Sequence, residues 1–152
     1  MKTNWKKLLE NNSLQEKKVS FIEVEKVLEK SYKCLKAADL LLKEEVEESV
    51  FKETYDAMIL AGRALMFSLG FKPRTVGSHT ITIDFCELYL GKDFGMLVVK
   101  FKKMKQKRNY LIYGIGLVVS KTEAENALKT AKEFVEKISE FIRKKNPQKK
   151  LI

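Results

Sequence analysis

The stretch MLVVKFKKMKQKRNYLIYGIG, residues 96–116, decides how the rest of the chain is interpreted. Within it, one set of positions recurs at alternating steps of four and three residues, which is the repeat of one face of an α-helix. These positions are Leu97, Phe101, Met104, Arg108, Leu111 and Ile115. Five of the six are apolar, whereas Arg108 carries a charge that is costly to bury without a partner. The stripe therefore predicts a core-facing helix with one anomalous cation.

Arg108 has no carboxylate three or four residues away on its own helix, the distances at which helical side chains meet. Its partner must therefore come from another helix, from a second chain or from a bound anion. A salt bridge to Asp39 or Asp56 is the structural alternative. We favour a phosphate ligand, because the planar guanidinium binds phosphate through two hydrogen bonds and stays charged at every relevant pH.

The positive charge of the chain is concentrated in two segments. Of a net charge of +10, residues 100–108 supply six cations and no acid, and residues 137–150 supply six cations and one acid. Such clustering is typical of a protein that binds a polyanion, usually a nucleic acid, although a solvated lysine-rich surface has the same composition. Lys100, Lys103 and Lys107 share one helix face and are candidate contacts to a nucleic-acid backbone or phosphate.

Several classes of protein are disfavoured by composition. The sequence has no apolar run long enough to span a membrane, and its first residues, MKTNWKKLLENN, lack the apolar segment of a secretory signal. Cys34 and Cys86 have neither metal-ligand nor disulfide spacing, and the chain has a single histidine. We therefore expect a cytoplasmic protein with buried thiols, without a membrane partner, a metal or another cofactor.

Helical periodicity extends through most of the chain. Long helices are predicted over residues 20–43 and 47–69, from Phe94 into the opening stretch, and from Ser120 to near residue 146, after a short helix over residues 4–11. Ser20 with Glu23, and Ser120 with Glu123, match the capping box that begins a helix. Gly70 is expected to end the second long helix, and Gly62 within it indicates close approach of another helix.

Residues 71–78 are predicted to be a loop, and residues 79–90 are ambiguous. The sequence TITIDF alternates like a strand, but an isolated strand has nothing to pair with, so a helix is predicted. The chain is thus expected to be all-α, an antiparallel four- or five-helix up-and-down bundle over residues 20–146. Residues 1–19 are interpreted as an N-terminal extension with a short helix, and residues 147–152 as a basic tail.

This arrangement resembles the HEPN domain family of small helical bundles, over about residues 20–143. The stretch from Tyr55 to Gly70 is similar to the second long helix of that family, with a Tyr, small residues and a closing Gly. Ser78-His79 stands where many members have a His that opens the next helix, and Arg108-Asn109 stands where the family has an Arg followed by a polar residue. The alanine-rich start of the last helix also fits.

The resemblance implies a candidate active site. Many HEPN proteins are metal-independent ribonucleases with a signature of an Arg, a polar residue and, a few residues later, a His. Arg108 and Asn109 match, but Tyr113 stands in the place of the His, and a phenol is a poor base at neutral pH. Tyr113 would instead donate to a phosphate oxygen or position a ribose, or simply pack as an aromatic residue.

Two further residues have open interpretations. His79, the only imidazole, is the obvious substitute base if the protein cleaves RNA, or else a residue at a helix start with no chemistry. Asn109 either bonds a ribose or phosphate or caps a neighbouring helix. The proposed catalytic set is therefore Arg108, Asn109, Tyr113 and His79.

Three functional hypotheses follow from the residues and the resemblance. The first is a HEPN-like domain that forms a homodimer through the central helix and binds nucleic acid, a nucleotide or a small nucleotidyltransferase, as in a toxin–antitoxin system. The second is an active metal-independent endoribonuclease with a variant Arg-Asn-x3-Tyr motif. The third is a purely structural bundle that binds another protein. Dimerisation and the nucleotidyltransferase partner are implied by the resemblance alone.

Overall fold

The computed structural model describes residues 5–113 and 118–145, without the side chain of Tyr113. The chain folds as the predicted all-α bundle. In chain order the elements are α1 (Lys6–Glu10), β1 (Leu14–Glu16), α2 (Phe21–Lys43), α3 (Glu47–Ser68), β2 (Phe71–Pro73), α4 (Ser78–Leu90), a 3-10 helix (Gly91–Phe94), α5 (Gly95–Tyr113) and α6 (Lys121–Lys145).

Helix α3 is the centre of the bundle, because α2, α4, α5 and α6 all pack against it. Small and large apolar residues alternate along it, and several of its larger side chains, such as Met58 and Leu65, are fully buried. Burial of this helix on several sides removes most of its apolar surface from water, which is the main stabilising term of the fold. The polar side chains that α3 retains in this setting therefore require an explanation.

The predicted helix signals are confirmed in the structure. The hydroxyl of Ser120 accepts a hydrogen bond from the backbone N–H of Glu123 at 3.1 Å, and the Glu123 carboxylate accepts one from the backbone N–H of Ser120 at 3.1 Å. Ser20 accepts from the backbone N–H of Glu23 at 3.2 Å, and Gly70 follows α3 with a φ of +86°. The capping residues thus set the helix boundaries that the sequence predicts.

Gly62 is the point at which α4 comes closest to α3, as predicted. A Cβ atom at this position would lie 2.7 Å from Cγ2 of Thr82 and 3.2 Å from Sγ of Cys86. Residues 79–90, predicted to be a helix despite their alternating pattern, are helical within α4. The close contact holds the first turn of α4, with Ser78 and His79, beside the middle of α3.

The prediction that residues 71–78 form a loop is wrong at its start. Residues Phe71–Pro73 form strand β2, which pairs antiparallel with β1. Neither three-residue strand carries a recognisable pattern, and the two are far apart in sequence, so only tertiary contact creates the pairing. The pairing and the edge-on contact of Trp5 with Phe71, at 5.1 Å between ring centroids, hold residues 5–19 against the bundle.

The start of the central helix and the burial of the two cysteines differ slightly from what the sequence predicts. The central helix begins at Gly95, one residue later than predicted, after a 3-10 turn. Cys86 is buried and Cys34 is half-buried, and burial raises the pKa of their thiols to about 12 and about 11, so both are protonated at neutral pH. The expectations for Ile115 and for the basic tail over residues 147–152 lie outside the described residues.

Candidate functional site

A cluster of polar side chains lies where α3, α4 and α5 meet. Helix α3 supplies a tyrosine, an aspartate and an arginine, the first turn of α4 supplies a serine and the histidine, and α5 supplies the anomalous cation of the opening stretch. We call this set the arginine–histidine cluster; its members are Tyr55, Asp56, Arg63, Ser78, His79 and Arg108. Two of the predicted site residues, Arg108 and His79, are thus brought together.

Tyr55 and His79 form the buried side of the cluster. The phenol oxygen of Tyr55 lies 3.0 Å from Nδ1 of His79, within hydrogen-bond distance, and Tyr55 is fully buried. Burial raises the pKa of the Tyr55 hydroxyl above its ordinary value, and the nearby Arg108 opposes this shift only in part. Tyr55 is therefore a protonated phenol across the physiological pH range.

Arg108 lies above the ring of Tyr55, with its guanidinium carbon 5.4 Å from the ring centroid, an arrangement suited to a cation–π contact. Its Nη2 atom is 3.9 Å from Oδ1 of Asp56, which is too long for a hydrogen bond. Its Nε atom is buried without a hydrogen-bond partner among the described residues. Arg108 and Asp56 therefore form only a loose ion pair, and not the hydrogen-bonded salt bridge that was the structural alternative.

Arg63 is a second arginine of the cluster and was not predicted as a site residue. Its Nη2 atom donates a hydrogen bond to the hydroxyl of Ser78 at 3.1 Å, and its Nε atom is buried without a partner in the described part of the chain. Arg63 stands between Gly62 and Ala64 in an apolar helix segment. The criterion that singled out Arg108, a cation among apolar residues, would also have found it.

The cluster carries more positive than negative charge. Burial raises the pKa of Asp56, although Arg108 and Arg63 act against this shift. Burial lowers the pKa of His79, and Arg63, Arg108 and, more weakly, Lys105 lower it further. A neutral imidazole and two permanently charged guanidinium groups therefore share a half-buried space with one carboxylate. Such a space attracts an anion, and its reduced exposure to water strengthens the attraction.

The three predicted phosphate-binding lysines lie apart from the arginine–histidine cluster, on the side of α5 that faces α6. Lys100, Lys103 and Lys107 line a cavity of about 460 Å³ between these helices. We call this cavity the α5–α6 groove; it is also lined by Phe51, Lys129 and Glu123. Lys107 donates to the carboxylate of Glu123, so its charge is already compensated within the fold.

The other two residues of the predicted motif do not extend the cluster. Asn109 is exposed on α5, and the side chain of Tyr113 lies outside the described residues. Within residues 5–113 and 118–145, no group of three or more His, Cys, Asp or Glu side chains is arranged to hold a metal ion. Across the same residues, no helix is both long and apolar enough to cross a membrane.

The fold and the cluster together define an all-α bundle with an arginine-rich, histidine-containing site at the junction of three helices. The family model of the HEPN domain matches residues 24–142, and the chain therefore belongs to the HEPN domain family. This assignment makes it, in general terms, a nucleotide- or RNA-related helical domain. No curated protein matches the chain.

Proposed function

We propose that this HEPN domain binds the phosphate groups of RNA or of a nucleotide at the arginine–histidine cluster. The supporting observation is that, among the described residues, Arg63 and Arg108 each keep a buried Nε–H without a protein acceptor. A buried donor left without a partner costs free energy, and charge-assisted hydrogen bonds from the other N–H groups of the two guanidinium groups to a phosphate would offset that cost. The carboxylate of Asp56 is too distant from Arg108 to do so.

Exposed polar side chains on other sides of α5 would add contacts to a nucleic-acid strand held at the cluster. Lys100 and Lys103 are exposed beside the α5–α6 groove, and Asn109 is exposed on a different side of the helix. Lysines in such a position contribute a salt-dependent and sequence-independent part of the affinity. Lys107 is expected to contribute less than these two, because Glu123 already neutralises it.

The proposal is tested by measuring the affinity for a fluorescent single-stranded RNA at several salt concentrations. We expect the affinity to fall as salt rises, and to fall further when Arg63 or Arg108 is replaced by Ala. Arg143→Ala is the matched control, since it removes the same charge from an exposed position on α6. An equal loss in all three variants would show that only bulk charge matters. Absence of salt-dependent binding would favour a purely structural bundle instead.

Metal-independent RNA cleavage is a second candidate, favoured by the position of His79 between two arginines that act on it electrostatically. Such a reaction needs a proton-transfer group and cations that stabilise the charged phosphorane-like transition state. End-labelled RNA incubated with the protein and excess EDTA should then be cut, and His79→Asn or Arg108→Ala should abolish the cutting. Intact RNA after prolonged incubation would remove this candidate.

We also propose that the domain forms a homodimer, as HEPN domains generally do, and that α5 provides the interface. Met96, Val99 and Tyr110 are exposed and share the outer face of this helix. The same proposal includes a small nucleotidyltransferase that binds this domain as its partner in a cytoplasmic toxin–antitoxin system. Light scattering should give twice the mass of the 17.6 kDa chain, and Val99→Glu should give the monomer mass. A monomeric wild-type protein would contradict the dimer.

A further inference from the structure

We propose that Tyr55 holds His79 as the neutral tautomer with its proton on Nε2, so that His79 offers a hydrogen bond to a bound phosphate instead of accepting a proton from the substrate. Tyr55 is then a positioning residue, because it acts on the ligand only through the imidazole. The identity of the ligand rests on the proposed function, whereas the tautomer is a property of the free chain.

The argument starts from the hydroxyl proton of Tyr55. This residue is fully buried, so water does not reach its hydroxyl, and among the described residues its one hydrogen-bond contact is Nδ1 of His79, at 3.0 Å. A buried donor is almost always paired. If Nδ1 carried the ring proton, two donors would face each other across this distance and the phenol proton would have no acceptor. The bond is therefore satisfied only when the phenol donates to an unprotonated Nδ1.

The charged imidazolium is excluded by its surroundings. Protonation of both ring nitrogens would again leave the phenol proton without an acceptor. It would also place a positive charge near Arg63 on α3 and near Arg108 and Lys105 on α5, and these groups, together with burial, lower the pKa of His79. The remaining protonation state of His79 is the neutral ring in which Nδ1 accepts a hydrogen bond and Nε2 carries the proton.

This tautomer changes the chemistry that His79 performs. An Nε2–H group has no lone pair, so it does not act as a general base toward a ribose hydroxyl. With the guanidinium groups of Arg63 and Arg108, it instead forms a set composed only of hydrogen-bond donors, which suits the unprotonated oxygens of a phosphodiester. The buried phenol of Tyr55 therefore favours phosphate binding over base catalysis by His79.

The experiment uses the fact that His79 is the only histidine of the chain. In the ¹⁵N-labelled full-length protein, long-range ¹H–¹⁵N correlation spectra report the protonation of each ring nitrogen with no overlap from other histidines. We expect the signature of an unprotonated Nδ1 and a protonated Nε2 at neutral pH. Tyr55→Phe should raise the pKa of His79, because the lost hydrogen bond stabilised the neutral ring. Tyr32→Phe is the control, because the Tyr32 hydroxyl on α2 bonds to Glu136 on α6, and it should leave the pKa of His79 unchanged.

The opposite pattern, a proton on Nδ1 or on both nitrogens at neutral pH, would overturn the proposal. The wild-type spectrum decides this even if Tyr55→Phe does not fold. In a folded variant we also expect RNA affinity to fall about two- to tenfold, the usual range for one hydrogen bond. An Nε2–H tautomer in a protein that binds no RNA would refute the proposed function and leave the assignment of the tautomer intact.

Discussion

Lys107 and Arg108 are neighbours on α5, yet the fold treats their charges in opposite ways. Lys107 faces the α5–α6 groove and bonds to Glu123, whose carboxylate also caps the start of α6. Arg108 faces the arginine–histidine cluster, where the nearest carboxylate oxygen is 3.9 Å away and its Nε atom is buried without a partner in the described residues. Lys107 is paired within the fold, whereas Arg108 has only a loose ion pair and is the cation that we propose binds a ligand.

Under the proposed function, this comparison separates charges that stabilise the fold from charges that bind a ligand. Lys107 and Arg108 are about equally exposed, at 26 % and 25 % of their side chains, so the difference between them lies in their pairing and not in their burial. Most other charged side chains of the groove are exposed, where ion pairs contribute little and are screened by salt. Charged side chains of the cluster are half-buried and incompletely paired, a combination that costs stability and persists where a ligand requires it. The following variants test whether this difference between the two sides of α5 is real.

The largest expected effect is on RNA affinity. Arg108→Ala removes charge-assisted hydrogen bonds to phosphate, and should weaken binding by about ten- to a hundredfold. Lys107→Ala removes a charge that Glu123 already neutralises, and should weaken binding by no more than about threefold. Fluorescence anisotropy of labelled RNA measures both. Comparable losses of RNA affinity in the two variants would show that the cluster and the groove contribute equally to binding.

The second comparison concerns stability. Arg108→Met keeps the length of the side chain and removes an incompletely paired half-buried charge, so the free energy of unfolding should stay constant or rise by up to about 1 kcal/mol. Lys107→Met removes an ion pair and should lower it by about 0.5 kcal/mol. Urea denaturation followed by circular dichroism gives both values. A clear loss of stability in Arg108→Met would mean that the cation serves the fold.

Asp56 should compete with the ligand for Arg108, since it is the carboxylate nearest to that guanidinium. Asp56→Asn keeps the shape of the side chain and removes the competing charge, so RNA affinity should rise by about two- to fivefold. Asp39→Asn is a suitable control, because Asp39 pairs with Lys132 at a distance from the cluster. Weaker RNA binding in the Asp56 variant would indicate that this carboxylate positions Arg108 for the ligand.

The smallest effect is on the pH dependence of stability. Burial lowers the pKa of His79 in the folded state below the value of about 6.5 that an unfolded chain has. Between these two values the unfolded state binds more protons, so the free energy of unfolding should decrease as the pH is lowered through about 6.5. His79→Asn should flatten the curve in this window. An unchanged slope would show that another group is responsible.

The helical part of the fold was predictable because its signals are local. Two capping boxes, a closing glycine and regular apolar stripes lie within single helices, and each marks a boundary or face that the structure contains. The ribbon of β1 and β2 was missed for the opposite reason. Its strands are three residues long, and the paired residues Leu14 and Pro73 are far apart in sequence, so no local pattern specifies them.

The candidate site was predictable only in part. Arg108 was conspicuous because its own helix offered no counter-charge, and His79 because it is the single histidine. Tyr55 was noted only as the tyrosine of the stretch that resembles the HEPN family, because its hydroxyl gains a role only when α4 packs against Gly62 and brings His79 to it. A contact between helices of this kind is a property of the packing and leaves no trace in either helix alone.

The most direct test of the central claim is to titrate the ¹⁵N-labelled protein with a non-cleavable 2′-O-methyl RNA and to follow the ring signals of His79. If the arginine–histidine cluster holds the phosphate, these signals shift and saturate with the RNA, and they stay in place in the Arg63→Ala/Arg108→Ala variant. If RNA binds to the wild-type protein while the His79 signals do not move, the ligand occupies another surface and the arginine–histidine cluster is not the phosphate site.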